Sequence, residues 1–148
     1  MSTYTQIIYH LVFSTKKRRK TLTQSNQTEL YKYIWGILTK KKCHLYRING
    51  MEDHLHIALH LHPSIALSSL IKDIKLATSQ HIKDYGLFKN FDGWQRGYGA
   101  FSYSFKDKDN LINYVKNQEE NHKVITFREE FISLLNDHGV EFDEKYLL

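Results

Sequence analysis

Residues 53–63 read DHLHIALHLHP, and the parity of this stretch decides the fold. Successive side chains on a strand point to opposite faces, so His54, His56, His60 and His62 share one side and Leu55, Ile57, Leu59 and Leu61 the other. The leucine face requires a core to bury against. The histidine face admits two readings, a metal site or the wet side of a strand, and alternation alone does not choose between them.

Working outward, residues 43–48 make a short strand, and Asn49-Gly50 is a turn pair that joins it to the histidine strand as a hairpin. Residues 4–13, YTQIIYHLVF, are β-branched and aromatic without Gly or Pro, and too apolar on both faces for an edge strand. Between these strands, Thr23 can cap a helix reaching about Lys42, with Leu30, Tyr33, Ile34, Ile37 and Leu38 at helical spacing. Pro63 ends the histidine strand. Ser64 can cap the next helix, whose stripe of Leu67, Leu70, Ile71, Ile74, Ala77, His81, Ile82 and Tyr85 stops at Gly86.

Residues 86–99 hold four of the seven glycines and form a loop, without the GK[ST] of a nucleotide phosphate loop, so no nucleotide cofactor is expected. Residues 99–105, GAFSYSF, alternate as a strand does; Asp107 or Asp109 can cap a helix to about His122, and a last helix covers about 127–136. The order β-α-β-β-α-β plus helices predicts an α+β fold. It is a ferredoxin-like antiparallel sheet with helices on one face and additional C-terminal helices, and its first and third strands are central neighbours.

A chain of 148 residues that is 41% hydrophobic and 14% aromatic has the size and composition of one packed domain, residues 1–148, and not of a disordered polymer. A single cysteine, Cys43, excludes an internal disulfide; with no secretory-type N-terminus, a cytoplasmic setting is expected. No apolar run approaches the roughly 20 residues of a membrane helix, so no membrane partner is expected. Charge is asymmetric. Residues 1–51 carry ten Lys or Arg and one acid, Glu29, whereas residues 128–148 carry two bases and six acids. KKRRK at 16–20 and KKK at 40–42 suit a polyanion, though such runs also occur as plain solvated surface.

A His-x-His pair on one strand face can converge on one ion but supplies only two ligands. NYVKNQEENH at 113–122 offers more: Tyr114 and Gln118 are four apart on one helix face, His122 lies a turn further, and Leu111 with Val115 forms a separate apolar row for packing. Tyr114 also has a plainer reading, as a half-buried amphipathic residue.

Taken together, His54-Leu55-His56, the TKKRRK segment after the first strand, and YVKNQEENH on a late helix resemble the HUH endonucleases. More narrowly, they resemble the small single-tyrosine transposases of bacterial insertion sequences. The resemblance runs over nearly the whole chain and takes in LIKDIKLATS and WQRGYGAFSYS. It implies that the C-terminal helices carry a nucleophile, Tyr114, and that His54, His56 and Gln118 hold one divalent metal, Mg²⁺ or Mn²⁺. It implies single-stranded DNA with hairpins as substrate, a 5′-phosphotyrosine intermediate, a homodimer, and a tyrosine helix able to serve its own or its partner's metal site.

Lys16, Lys17, Arg18 and Arg19 are then candidate DNA-backbone contacts, Tyr98 and Phe101 candidate stacking partners, and His122 the candidate auxiliary group and base. The family often has two adjacent histidines after Gln-Glu-Glu; here the first is Asn121. His60 and His62 match no family role. Two alternatives stay open: a domesticated relative that processes chromosomal repeat hairpins, and a non-catalytic nucleic-acid-binding module on the same sheet, which would expose aromatic residues on its central strands. A structural zinc protein is a further rival, for which the ligand set is sparse.

Overall fold

A computed structural model describes residues 2–147. Strands β1 (Ile8–Ser14), β2 (His44–Gly50), β3 (His54–His60) and β4 (Gly99–Tyr103) form one sheet in the order β2-β3-β1-β4, every neighbouring pair antiparallel. This is the expected α+β, ferredoxin-like arrangement. Its central pairing sets Val12 opposite His56 and Ser14 opposite His54.

Strand parity sorts the two sides of the sheet. Leu11, Phe13, Leu55, Ile57 and Leu59 face helices α1 (Gln24–Lys40) and α2 (Leu67–Tyr85), packing with Leu30, Ile34, Leu38, Leu70, Ile71 and Ile74. The opposite face, which carries the histidines, is covered by α3 (Lys108–Lys116), α4 (Gln118–Asn121) and α5 (Phe127–Asp137). Leu111 and Val115 of α3 pack on Ile8 and Ala58, and Phe127, Phe131, Leu134 and Leu135 of α5 pack on Val12 and Phe101. Among the described residues no helix is long and apolar enough to cross a membrane.

Three local expectations are corrected. Asn49-Gly50 belongs to β2, and residues 51–53 make the turn; Asn49 Nδ2 instead donates to the Lys116 carbonyl at 2.9 Å, tying β2 to the end of α3. Ser64 does not cap α2, which begins after Ala66; its hydroxyl pairs with His62 Nδ1 at 2.6 Å, close enough to compete with a capping role. The helix expected through His122 breaks at Asn117 into α3 and α4. The Tyr114 carbonyl near this break receives long bonds from Gln118 Nε2 and Asn121 Nδ2, both 3.4 Å.

Gly50 matters because a Cβ there would stand 2.2 Å from the backbone oxygen of His54. Gly50→Ala is therefore expected to destabilise the fold by about 1–3 kcal/mol in a urea titration, because the clash is with backbone and no side chain can swing aside.

Candidate active site

β3 delivers His54 and His56 to the covered face, both fully buried, and α4 delivers Gln118, also fully buried. The sequence-predicted residues meet: His54 Nε2 lies 3.2 Å from Gln118 Oε1, and His122 Nε2 lies 3.1 Å from the same oxygen. Tyr114 is half-buried on α3 of the same chain, its ring 5.9 Å from that of His56.

Between them stands a residue that the motif reading passed over. Glu130 of α5 is 1% exposed. Its Oε1 is 3.0 Å from His56 Nε2, 3.0 Å from His122 Nε2 and 3.5 Å from His54 Nε2. Its Oε2 accepts from Gln118 Nε2 at 3.1 Å and from the Tyr114 hydroxyl. The tyrosine thus donates to Glu130 and not to His122, the expected base.

A signal for Glu130 was present in the sequence. Thr126 and Glu129 form a reciprocal capping box that fixes the start of α5. From that start Phe127, Glu130, Phe131 and Leu134 fall on one stripe, so a carboxylate interrupts an apolar face. Phe127 stacks on the His54 imidazole, centroids 4.1 Å apart, which fixes both the helix and the ring.

Second partners orient the histidines. His54 Nδ1 donates to Asp53 Oδ1 at 2.7 Å, and His122 Nδ1 donates to the Ile125 carbonyl at 3.0 Å, so a neutral ring at either position turns a lone pair on Nε2 into the cluster. His10 of β1, fully buried, joins His56 Nδ1 through its Nε2 at 2.7 Å, and its own Nδ1 has no partner. The ligand atoms of His54, His56, His122 and Glu130 all lie within 4.8 Å of one another, a donor set that fits a divalent cation.

The electrostatics agree with a cation-seeking centre. Burial pushes Glu130 up, but its close contacts with His122, His54 and His56 reverse this and hold it far below the ordinary carboxylate range. Burial lowers His54, yet Asp53 and Glu130 outweigh it and raise the ring above its ordinary value. Burial lowers His56 to about 4. Burial, followed by the charge and hydrogen bond of Glu130, raises the Tyr114 phenol well above its ordinary value.

The remaining candidates separate. Lys16, Lys17 and Arg18 form a 3₁₀ turn after β1, with Lys17 and Arg18 at positive φ, and Arg19 pairs with Asp92. Backbone bonds from Thr15 to Asp53 and from Thr21 and Leu22 to Glu52 stitch this basic loop to the turn before His54. Lys20, the last of the run, lines a cleft of about 610 Å³ with Asp53, His122, Lys123 and Phe127. Tyr98 is exposed, but Phe101 is 3% exposed and packed near Phe131, so it is not free to stack on a base. His60 Nδ1 accepts from the Ile7 amide at 3.1 Å, and with His62 held by Ser64 both stand outside the cluster.

Residues 3–118 match the family described as Transposase IS200 like. The transposases for insertion sequence element IS200 of Salmonella typhimurium and Salmonella typhi are each 25% identical over 126 residues, 78% of this chain and 79% of theirs. A candidate transposase from Deinococcus radiodurans, solved by crystallography, has a TM-score of 0.60 at 22% identity over 80% of this chain and 95% of that one. A REP-associated tyrosine transposase bound to a REP hairpin has a TM-score of 0.61 at 20% identity over 84% and 76%. These two share the fold.

With His56 lowered to about 4 from an unfolded value near ~6.5, the unfolded chain binds the extra proton between those pH values. Stability of the metal-free protein should therefore fall as pH drops from about 6.5 to 4, by about 3 kcal/mol from this group. His54 acts oppositely: its raised value gives stability that is present below about 6.5 and lost as pH rises through its folded pKa. Melting temperatures followed across this range should show the acid loss, and His56→Asn should lessen it, the remainder coming from His10, which burial also holds well below its ordinary value.

Proposed function

The chain belongs to the IS200-like transposase family, and from that premise we propose that it cuts and rejoins single-stranded DNA at hairpin-bearing ends through Tyr114. Residues 1–148 would work as one domain. The observation that carries this reading is the hydrogen bond from the Tyr114 hydroxyl to Glu130, which puts a nucleophile one residue away from a cluster of buried histidines.

His54, His56 and Gln118 would hold Mg²⁺ or Mn²⁺. When bound, such an ion supplies positive charge to the scissile phosphate and to the leaving oxygen. Asp53 and His10 keep the two imidazoles oriented, and the Phe127 ring excludes water from one face of His54. Tyr114 is protonated at neutral pH, so its proton passes to Glu130 Oε2, which already accepts its hydrogen bond, as the phenolic oxygen bonds to phosphorus. The bond from phosphorus to the 3′-oxygen breaks in the same displacement, and that oxygen takes a proton from water. The product is a 5′-phosphotyrosine with a free 3′-hydroxyl, and it retains the energy needed for rejoining.

Lys16, Lys17, Arg18 and Arg19 would hold DNA phosphates on the loop stitched to the site, and Lys20 and Lys123 would do so at the cleft mouth. Hairpin recognition is supported by the fold shared with the hairpin-bound REP-associated transposase, and a homodimer by the family resemblance. A domesticated role in chromosomal repeats would use the same chemistry. A non-catalytic base-stacking module is disfavoured, because the face it would need carries histidines and lies under α3, α4 and α5.

Incubation with labelled hairpin-bearing single-stranded DNA and Mn²⁺ is expected to give an SDS-resistant adduct that Tyr114→Phe does not form; equal adduct from that variant would remove Tyr114 as nucleophile. His56→Ala should slow cleavage at least ~100-fold while hairpin binding in a gel-shift assay persists.

A further inference from the structure

Glu130 presents a problem in hydrogen-bond accounting. His54 Nδ1 and His122 Nδ1 are committed as donors to Asp53 and to a backbone carbonyl, so each neutral ring has only a lone pair left on Nε2. Those lone pairs face two oxygens, Gln118 Oε1 at 3.2 and 3.1 Å and Glu130 Oε1 at 3.5 and 3.0 Å. Gln118 cannot resolve this by rotating its amide, since its Nε2 already donates to Glu130 Oε2 at 3.1 Å. Acceptors therefore converge on acceptors, and only a cation at their centre, a proton on a ring or a metal ion, makes every contact favourable.

A buried carboxylate with no such partner costs several kcal/mol, and an apolar residue at this position would continue the stripe of Phe127, Phe131 and Leu134 instead. The carboxylate is also divided in use: Oε1 faces the three imidazoles, and Oε2 faces Tyr114 and the Gln118 amide.

We propose that Glu130 and His122 are ligands of the same ion as His54 and His56, and that Glu130 links that ion to the nucleophile by holding the Tyr114 hydroxyl on its second oxygen. This rests on the metal reading above and extends it: both residues lie beyond residues 3–118, the segment that matches the family. Three imidazoles and one carboxylate, beside the Gln118 amide oxygen, suit Mn²⁺ better than Mg²⁺, whose sites are built from oxygens. Entry is from the cleft beside Lys20 and Lys123, which opens on His122, the one histidine of the cluster that keeps some exposure.

The test is calorimetric titration of metal-free full-length protein with MnCl₂, alongside the rise in melting temperature that Mn²⁺ produces. Glu130→Gln is expected to weaken Mn²⁺ binding at least tenfold and to shrink the melting shift, while Glu129→Gln, which removes a neighbouring exposed charge from α5, leaves both unchanged. Glu130→Asp keeps the charge with a shorter reach; should Glu130→Gln fail to fold, Glu130→Asp is expected to bind Mn²⁺ measurably more weakly than wild type. Affinity within threefold of wild type in a folded Glu130→Gln, or unchanged in Glu130→Asp, overturns the proposal. His56→Ala separates the two claims: if it loses Mn²⁺ while Glu130→Gln keeps it, only the role of Glu130 falls. If His56→Ala binds as wild type does, the metal reading itself fails.

Discussion

A carboxylate sealed from water on the histidine face of a sheet must be met by donors or cations brought from elsewhere in the chain, and the second half of the structure is organised around that requirement. Glu130 accepts from Tyr114 on α3 and from Gln118 on α4 through one oxygen, and the other faces the imidazoles of β3 and of His122 at the end of α4. Each contact also fixes an element. α5 cannot leave the sheet without stranding the charge, and the α3–α4 segment cannot straighten without moving Gln118. The apolar contacts of Phe127 and Phe131 supply area, whereas the carboxylate supplies register.

The sheet makes this possible by separating two tasks. The leucine face of β3 is spent on a conventional core with α1 and α2, so the other face is free to carry polar groups. A ferredoxin-like sheet leaves that second face open unless further helices cover it; here they cover it and bring the tyrosine with them. The hydroxyl of Tyr114 is thereby held near the histidines of its own chain. The basic loop after β1 hydrogen-bonds to the same turn that precedes His54, which puts a run of positive charge and the histidine pair at one junction.

Much of this was legible in the residues. Period-two alternation in 53–63 and the helical stripes identify the strands and long helices, and their order identifies the sheet. The His54-His56 pair and Gln118 were brought together by the family resemblance that their local patterns carry. Glu130 could not be found that way, since its partners are up to 76 positions away in sequence and the carboxylate sits among apolar neighbours without any motif. Its position on the stripe of α5 was the available clue. His10 was legible through the topology: the expected pairing of β1 with β3 makes it a neighbour of the site, and there it bonds His56. Turn and cap positions were misjudged where a side chain had a competing partner, as with Ser64 and His62, or where a strand ran on through a turn-prone pair, as with Asn49-Gly50.

The central claim is that a cation occupies the middle of this cluster with Glu130 among its ligands. Crystals grown from the metal-free protein, soaked in MnCl₂ and measured at the manganese absorption edge would locate it directly. One anomalous peak is expected, bounded by the Nε2 atoms of His54, His56 and His122 and by Glu130 Oε1, at ligand distances of about 2.0–2.4 Å. A fully soaked crystal with no peak there, or with a peak from which Glu130 has turned away, would contradict it.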